Sequence, residues 1–234
     1  MKTLIILHGW QSSKERWQKV KELIEKEGIE VIAPDLPGFK KDTALDRPWN
    51  LDDYVEWFEK KYGDINEPFF LLGHSFGGRM AIKFSVKYPE KVLGLILCSA
   101  AGIRHKKNTL VGLLLYNLAK ILSRFSFLPG FNFFRKIFYQ FLLRKIDYIE
   151  AEGKLKETFK NIIGEDLTHY LAKIKTKTLL IWGEKDKAVP LSDAYLMKKE
   201  IQNSILEIIP QTGHRVNIEV PEKLAEIVLK FLKS

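Results

Sequence analysis

Short apolar runs alternate with stretches of helical periodicity along most of this chain. Runs with the length and composition of buried strands lie near residues 3–7, 29–33, 69–73, 92–98, 178–182 and 205–209. Between them, apolar residues recur at helical spacing; the first helix places Trp17, Val20 and Ile24 on one face, after the capping-box pattern Ser12 to Glu15. Strands that alternate with helices are typical of a parallel sheet with helices on both faces. We therefore predict an α/β fold with a mostly parallel sheet of about six strands.

The alternation breaks between Gly102 and about Asp166. Residues 109–124 and 134–146 are apolar apart from narrow polar stripes, which predicts helices. We expect a helical lid over residues 103–166, inserted after the fourth strand, and a core formed by residues 1–102 and 167–234. A lid above the carboxyl ends of the strands would wall the crevice in which open α/β folds bind ligands.

The positive charge of the chain is concentrated in the same insertion. The chain of 234 residues has a net charge of +9, and residues 103–146 hold nine Lys and Arg without any Asp or Glu. No nucleic-acid-binding motif accompanies this charge, so we do not expect nucleic acid as a partner. The simpler interpretation is a solvated basic face over an apolar pocket. Weak peripheral contact with an anionic membrane, or binding of acidic or lipid-like acyl substrates, is the alternative.

Cysteine content and the first residues favour a cytoplasmic protein. The single cysteine, Cys98, lies in an apolar run, where a buried thiol is expected, and it cannot form an internal disulfide. The first predicted strand starts at Thr3, which leaves no secretory leader. No His or Cys cluster has the spacing of metal ligands, so no metal is predicted, and the oligomeric state stays open.

The segment Gly73-His74-Ser75-Phe76-Gly77 carries the strongest chemical signal. It follows the apolar run 69–72 and precedes a helix-prone stretch, so it predicts a strand, a tight turn and a helix. The two glycines leave room for the sharp reversal, and the central Ser75 is expected in a strained conformation that exposes its hydroxyl. The helix N-terminus would then lie where an acyl-transfer reaction develops negative charge.

A serine nucleophile needs a base, and that base needs an orienting partner. His214 lies in a loop after the last strand, and Asp186 lies in the loop that leaves the fifth strand. Their placement gives the chain order Ser, Asp, His, with Glu184 as a weaker rival for the acid. The other histidines are less well placed, and we interpret His8, His74, His105 and His169 as structural or flanking residues.

Together these segments resemble the α/β-hydrolase family over about residues 3–232. The similarity includes Leu7-His8-Gly9-Trp10, Pro34-Asp35-Leu36-Pro37-Gly38-Phe39, Gly183 to Asp186 followed by Val189-Pro190, and Gly213-His214 followed by Glu219 and Pro221. The resemblance implies Ser75 as the nucleophile, His214 as general base and then acid, and Asp186 as the orienting carboxylate. It also implies an oxyanion hole formed by the backbone N–H groups of Trp10 and Phe76, and no cofactor.

The resemblance implies a serine hydrolase that cleaves a hydrophobic carboxylic ester through an acyl-enzyme on Ser75. The alternatives are a carbon–carbon hydrolase of the meta-cleavage type, a thioesterase, a membrane-surface lipase and a non-catalytic ligand-binding protein. A serine at this position, where other members carry aspartate, disfavours dehalogenase and epoxide-hydrolase chemistry. The chain departs from the family because no strand pair precedes the His8 loop, so the strand near 29–33 is expected at a sheet edge.

Overall fold

A parallel sheet of six strands organises the chain in this computed structural model, which describes residues 2–40, 43–65, 67–105 and 153–234. The strands are β1 (Thr3–Leu7), β2 (Glu30–Ile32), β3 (Phe69–His74), β4 (Val92–Cys98), β5 (Thr178–Gly183) and β6 (Ser204–Ile209). Their order is β2-β1-β3-β4-β5-β6, and every neighbouring pair is parallel. The predicted α/β fold is confirmed, and so is the position of β2 at an edge.

Helices cover both faces of the sheet because successive strand residues point to opposite sides. The described α-helices are α1 (Gln18–Glu25), α2 (Leu51–Tyr62), α3 (Phe76–Lys87), α4 (Gly153–Gly164), α5 (Thr168–Leu171), α6 (Leu191–Glu200), α7 (Val216–Glu219) and α8 (Pro221–Lys233). On one face, Ile5 and Leu7 pack with residues of α2, α3 and α6. On the other face, Leu4 and Ile6 pack with residues of α1 and α8.

The start of the first helix differs from the sequence prediction. The chain forms a 3-10 turn over Lys14–Trp17 before α1, and Ser13 makes no capping hydrogen bond with its side chain. The Lys14 amide instead donates to Asp35 Oδ1 at 3.0 Å, from the loop after β2. The described capping box belongs to α2, where Asn50 and Asp53 bond each other's backbone amides. The prediction that Ser12–Glu15 forms a capping box is therefore wrong, because the distant carboxylate of Asp35 accepts a hydrogen bond from the first turn instead.

The described ends of the predicted lid are tied to the core and to each other. The Leu167 amide donates to Gly102 O at 2.9 Å, and Arg104 Nη1 donates to Gly164 O at 3.1 Å. The buried Arg79 of α3 donates to the carbonyl of Ile162 at 2.7 Å, which joins α4 to α3. The remainder of the predicted lid, 106–152, lies outside the described residues, so the domain division stays a prediction.

The positions of β1 and β3 locate the crevice of this sheet. The chain passes from β1 outward to β2 and then returns to β3 on the other side of β1, so the strand order reverses between these two central strands. In open α/β sheets, ligands bind outside the carboxyl ends of the strands at such a reversal. None of the described helices is both long enough and apolar enough to span a bilayer.

Candidate active site

Ser75 occupies the turn between β3 and α3 in a strained backbone conformation. Its φ of 52° and ψ of −112° lie where residues with a side chain are uncommon, as the sequence predicts. The Ser75 amide donates to Cys98 O at 3.2 Å, and the Ala101 amide donates to Ser75 O at 3.0 Å. The last residue of β4 and the segment after it therefore bind the backbone N–H and C=O of the strained Ser75.

The glycines on either side of Ser75 are required by close backbone approach. A Cβ atom on Gly73 would lie 2.4 Å from the carbonyl oxygen of Gly77. A Cβ atom on Gly77 would lie 2.1 Å from the carbonyl oxygen of Leu7 in β1. Both distances are far below van der Waals contact, so the strand, the turn and the helix pack this closely only with glycine at these positions.

Asp186 and His214 form a hydrogen-bonded pair at the carboxyl ends of β5 and β6. His214 Nδ1 lies 2.8 Å from Asp186 Oδ2, and the side chain of Asp186 is fully buried. The other carboxylate oxygen accepts the amides of Ala188 at 2.8 Å and Val189 at 2.9 Å. Because a carboxylate only accepts, Nδ1 of His214 carries the proton and Nε2 is left as an acceptor.

The Asp186 carboxylate stays ionised despite its burial. Burial raises the pKa of a carboxyl group, but the hydrogen bond and charge of His214 and the Val189 amide outweigh this effect and lower the pKa of Asp186 below its usual value. An ionised Asp186 can orient the imidazole and stabilise the imidazolium that forms when His214 accepts a proton.

His74 is structural, as predicted, and it contacts the backbone of His214, which the sequence did not reveal. Its Nε2–H donates to the carbonyl oxygen of His214 at 2.9 Å, and the two rings lie 4.9 Å apart between centroids. Burial, reinforced by the nearby His214, lowers the pKa of His74 to about 4, so this ring is neutral at pH 7. This bond holds the His214 backbone in position. The sequence does not show it, because its acceptor is a backbone carbonyl and not a side chain.

His8 is structural, as predicted. The Leu36 amide donates to His8 Nε2 at 2.9 Å, so Nδ1 carries the proton and donates to Gly9 O at 2.8 Å. Burial lowers the pKa of this imidazole, which favours the neutral form that both bonds require. His8 thus joins the loops that follow β1 and β2.

Two glutamates brace the loop that carries His214. Glu219 accepts the amide of Gly213 at 2.7 Å and the amide of Arg215 at 3.1 Å. Glu184, the rival candidate for the acid, accepts the Gln211 amide at 2.9 Å instead of contacting His214. The structure therefore pairs His214 with Asp186, and both glutamates bind backbone.

Ser75 and His214 line one cavity of about 550 Å³. Among the described residues, the walls also include Trp10, Phe39 and Leu155. The Trp10 ring lies 4.9 Å from Phe39, 5.5 Å from Phe76 and 4.9 Å from Phe159, measured between centroids. One side of the cavity is therefore a wall of packed aromatic rings.

The two amides expected to form an oxyanion hole lie at the ends of neighbouring elements. Trp10 follows β1 and lines the cavity, and Phe76 is the first residue of α3, directly after Ser75. In the described ranges, no backbone carbonyl accepts a hydrogen bond from either amide. Neither N–H group is therefore bound to a backbone acceptor in these ranges, and Phe76 stands at the positive N-terminal end of α3.

His105 has a carboxylate partner that the sequence analysis did not anticipate. His105 Nε2 lies 2.7 Å from Asp193 Oδ1, and burial raises the pKa of that carboxyl group. This pair joins the start of the insertion to α6. Within the described part of the chain, no group of three His, Cys, Asp or Glu side chains is placed to hold a metal ion.

A strained serine at a strand-to-helix turn, beside a histidine that a buried carboxylate orients, is an arrangement used by hydrolases. The family model described as the alpha/beta hydrolase fold matches residues 2–161. The chain belongs to the α/β hydrolase fold family, and the protein is a hydrolase.

Relatives and solved structures agree with this assignment. Monoacylglycerol lipase ABHD6 of Mus musculus is 26% identical over 259 residues, covering 99% of this chain and 76% of its own length. The 2-hydroxy-6-oxononadienedioate/2-hydroxy-6-oxononatrienedioate hydrolase 1 of Pseudomonas putida is 27% identical, covering 98% and 87%. The structure of an esterase from Exiguobacterium antarcticum has a TM-score of 0.76 at 22% identity, covering 100% and 92%.

Proposed function

We propose that this protein is a serine hydrolase that cleaves carboxylic esters of hydrophobic acids through an acyl-enzyme on Ser75. One observation carries the proposal: His214, oriented by Asp186 at 2.8 Å, lines the same cavity as Ser75. A serine hydroxyl is a weak nucleophile at neutral pH, and an adjacent base converts it into an effective one. The assignment of Ser75, His214 and Asp186 follows from this chemistry.

In the proposed reaction, Nε2 of His214 takes the proton of Ser75 as Oγ attacks the ester carbonyl carbon. The oxyanion that forms accepts hydrogen bonds from the amides of Trp10 and Phe76. His214 then gives its proton to the leaving alcohol, and the acyl group remains on Ser75. Water attacks this acyl-enzyme with His214 again as the base, and the carboxylic acid leaves.

The walls of the cavity support an apolar acyl group as part of the substrate. Trp10, Phe39, Leu155 and Ile218 line the space around Ser75. Each buried methylene of a ligand gains about 0.8 kcal/mol, so binding should strengthen with chain length until the cavity of about 550 Å³ is filled. The mouse relative, named as a monoacylglycerol lipase, favours an ester substrate for this chain as well.

A series of p-nitrophenyl esters from acetate to decanoate tests the proposal. The wild-type protein should turn over many equivalents, and Ser75→Ala should lose turnover, while Ser192→Ala, which removes an exposed hydroxyl outside the cavity, should retain it. A fluorophosphonate probe should label the wild type but not Ser75→Ala. Undiminished ester turnover by Ser75→Ala would refute the assignment, and labelling without multiple turnover would favour the ligand-binding alternative.

Carbon–carbon bond hydrolysis is a second candidate function. It is favoured by the Pseudomonas putida relative, which is named as a hydrolase of dienedioates and matches 98% of this chain. A vinylogous diketone acid, assayed beside a thioester and the p-nitrophenyl series, separates these reactions. A kcat/KM that is highest for the diketone acid would replace the ester proposal.

Weak peripheral contact with an anionic membrane through the basic residues of 103–146 is also a proposal. The charge of this segment supports it. Sedimentation with vesicles of neutral lipid alone, or with added anionic lipid, tests it. Equal recovery of the protein with both vesicle types would remove the proposal, and a cytoplasmic location stays a prediction.

A further inference from the structure

Two arginines stand at the rim of the cavity that contains Ser75. Arg16 and Arg215 are among the residues that line this cavity, and both are exposed. Among the ion pairs of the described residues, neither guanidinium has a carboxylate partner. No Asp or Glu is among the described residues that line the cavity. In the described ranges, the two arginines therefore carry positive charges that no ion pair with a carboxylate compensates.

The backbone that carries these arginines is held in place. The nearly buried Asn217 donates its side-chain amide to Arg16 O at 2.9 Å, which joins the turn before α1 to α7. The Arg215 amide donates to Glu219 Oε1 at 3.1 Å. The second oxygen of Glu219 accepts the amide of Gly213 at 2.7 Å, so this acid is directed to backbone groups. The positions of the two arginines are thus built into the fold.

Both arginines belong to segments connected to His214, the proposed proton donor to the departing alcohol. In ester hydrolysis the imidazole must reach the leaving oxygen in order to protonate it. Arg215 follows His214 directly, and Asn217 ties the Arg16 turn to the same loop. The aromatic rings of Trp10 and Phe39 provide the apolar surface elsewhere in the cavity. An acyl chain against these rings leaves the alcohol portion of the ester near the arginines.

We propose that the protein selects esters whose alcohol portion carries an oxyanion, a carboxylate or a phosphate, that Arg16 and Arg215 bind. This inference rests on the proposed function. Guanidinium groups present a planar set of donors that matches both anions, and their hydrogen bonds to anions are stronger than those between neutral groups. Water adds across the ester bond, which releases the apolar acid and the anionic alcohol.

Three hexanoyl esters test the selectivity: those of phenol, 4-hydroxybenzoate and 4-hydroxyphenyl phosphate. The measured quantity is the ratio of kcat/KM for each anionic ester to kcat/KM for the neutral one. The three phenols differ as leaving groups, but this difference is the same for every protein. It therefore cancels when the ratio of a variant is compared with that of the wild type. The double variant Arg16→Gln/Arg215→Gln should lower the ratio by about tenfold, since it removes two charge-assisted contacts. Whether the carboxylate or the phosphate ester loses more identifies the preferred anion.

A matched variant controls for the net charge of the protein. Lys26→Gln/Lys199→Gln removes two positive charges from exposed residues that do not line the cavity. This variant should keep the wild-type ratio. Raising the salt concentration from about 0.1 M to about 1 M shortens the Debye length from about 10 Å to about 3 Å, so the wild-type ratio should fall. Equal ratios in the wild type and the arginine variant, or an equal fall in the lysine variant, would overturn the inference.

Binding to a variant that cannot react separates this inference from the proposed function. Calorimetry with Ser75→Ala should show tighter binding of 4-hexanamidobenzoate than of the neutral hexananilide, and loss of this difference when both arginines are replaced. If all three esters are inert but the binding difference persists, the proposed function is wrong and the anion site stands. If the neutral ester is hydrolysed and neither ratio nor binding depends on the arginines, the anion site is wrong.

Discussion

The buried imidazole of His74 should make the folded protein lose stability in mild acid. Burial and the nearby His214 lower the pKa of His74 from 6.5 to about 4. In the unfolded chain the same imidazole takes up its proton near pH 6.5. Between these values the unfolded state binds more protons, so stability is fully present above about pH 6.5 and falls as the pH decreases toward 4. Below pH 4 this residue adds no further loss.

The size of the effect follows from the two pKa values. One pKa unit corresponds to about 1.4 kcal/mol. A change from pH 7 to pH 4 should therefore lower the free energy of unfolding by about 3 kcal/mol through the protonation of His74 alone. Domains of this kind have a total free energy of unfolding of about 5–15 kcal/mol. The contribution of one imidazole is therefore large enough to measure directly.

Urea unfolding of the wild type and His74→Gln at pH 7, 6, 5 and 4, followed by tryptophan fluorescence, tests this reasoning. Glutamine keeps a side-chain N–H that can donate to the His214 carbonyl, but it does not titrate. Between pH 7 and pH 4, the free energy of unfolding of the variant should therefore fall by about 3 kcal/mol less than that of the wild type. The effects of His8 and Asp186 are shared by both proteins and cancel. His169→Gln controls for the loss of an exposed imidazole, and parallel curves for wild type and His74→Gln would refute the reasoning.

Three further outcomes are expected. Asp186→Asn should keep the fold but lower kcat by about 10⁴, because the amide no longer fixes the His214 tautomer; ester kinetics beside circular dichroism would check this. Gly77→Ala should lower the free energy of unfolding by more than about 3 kcal/mol, because its Cβ would lie 2.1 Å from a carbonyl oxygen of β1, whereas Gly164→Ala, which has open space, should be nearly neutral in urea titrations. The thiol of Cys98, fully buried and with its pKa raised by that burial, should react with Ellman's reagent only after unfolding, so rapid labelling of the native protein would contradict the structure.

The strands were predictable because their signal is local. Apolar runs between turn residues place all six strands within one residue of their observed ends. Successive residues such as Leu4 and Ile5 enter opposite cores, which explains why these runs are apolar throughout. The Asp186–His214 contact was predicted from the position of both residues after strands of one parallel sheet, and it is present at 2.8 Å. The catalytic roles of these residues stay a prediction.

The features that were missed depend on contacts between distant parts of the chain. The bond from His74 to the carbonyl of His214 uses a backbone acceptor, which residue types do not reveal. Asp35 caps the turn at Lys14 because two loops meet at the sheet edge. Arg16 and Arg215 share a rim only after the fold brings together the two ends of the chain.

The hydrogen bonds that join the two ends of the insertion, from Leu167 to Gly102 and from Arg104 to Gly164, have an evolutionary consequence. They close the core beneath the insertion, since the chain leaves and re-enters the sheet at bonded positions. Lengthening a loop whose ends are already joined adds little entropic penalty, because that penalty grows only with the logarithm of its length. Segments between His105 and Gly153, which precede α4 and its contacts with the cavity, can thus vary in length without changing the Ser75 turn or the Asp186–His214 pair. Substrate range and chemical step can therefore diversify at different rates.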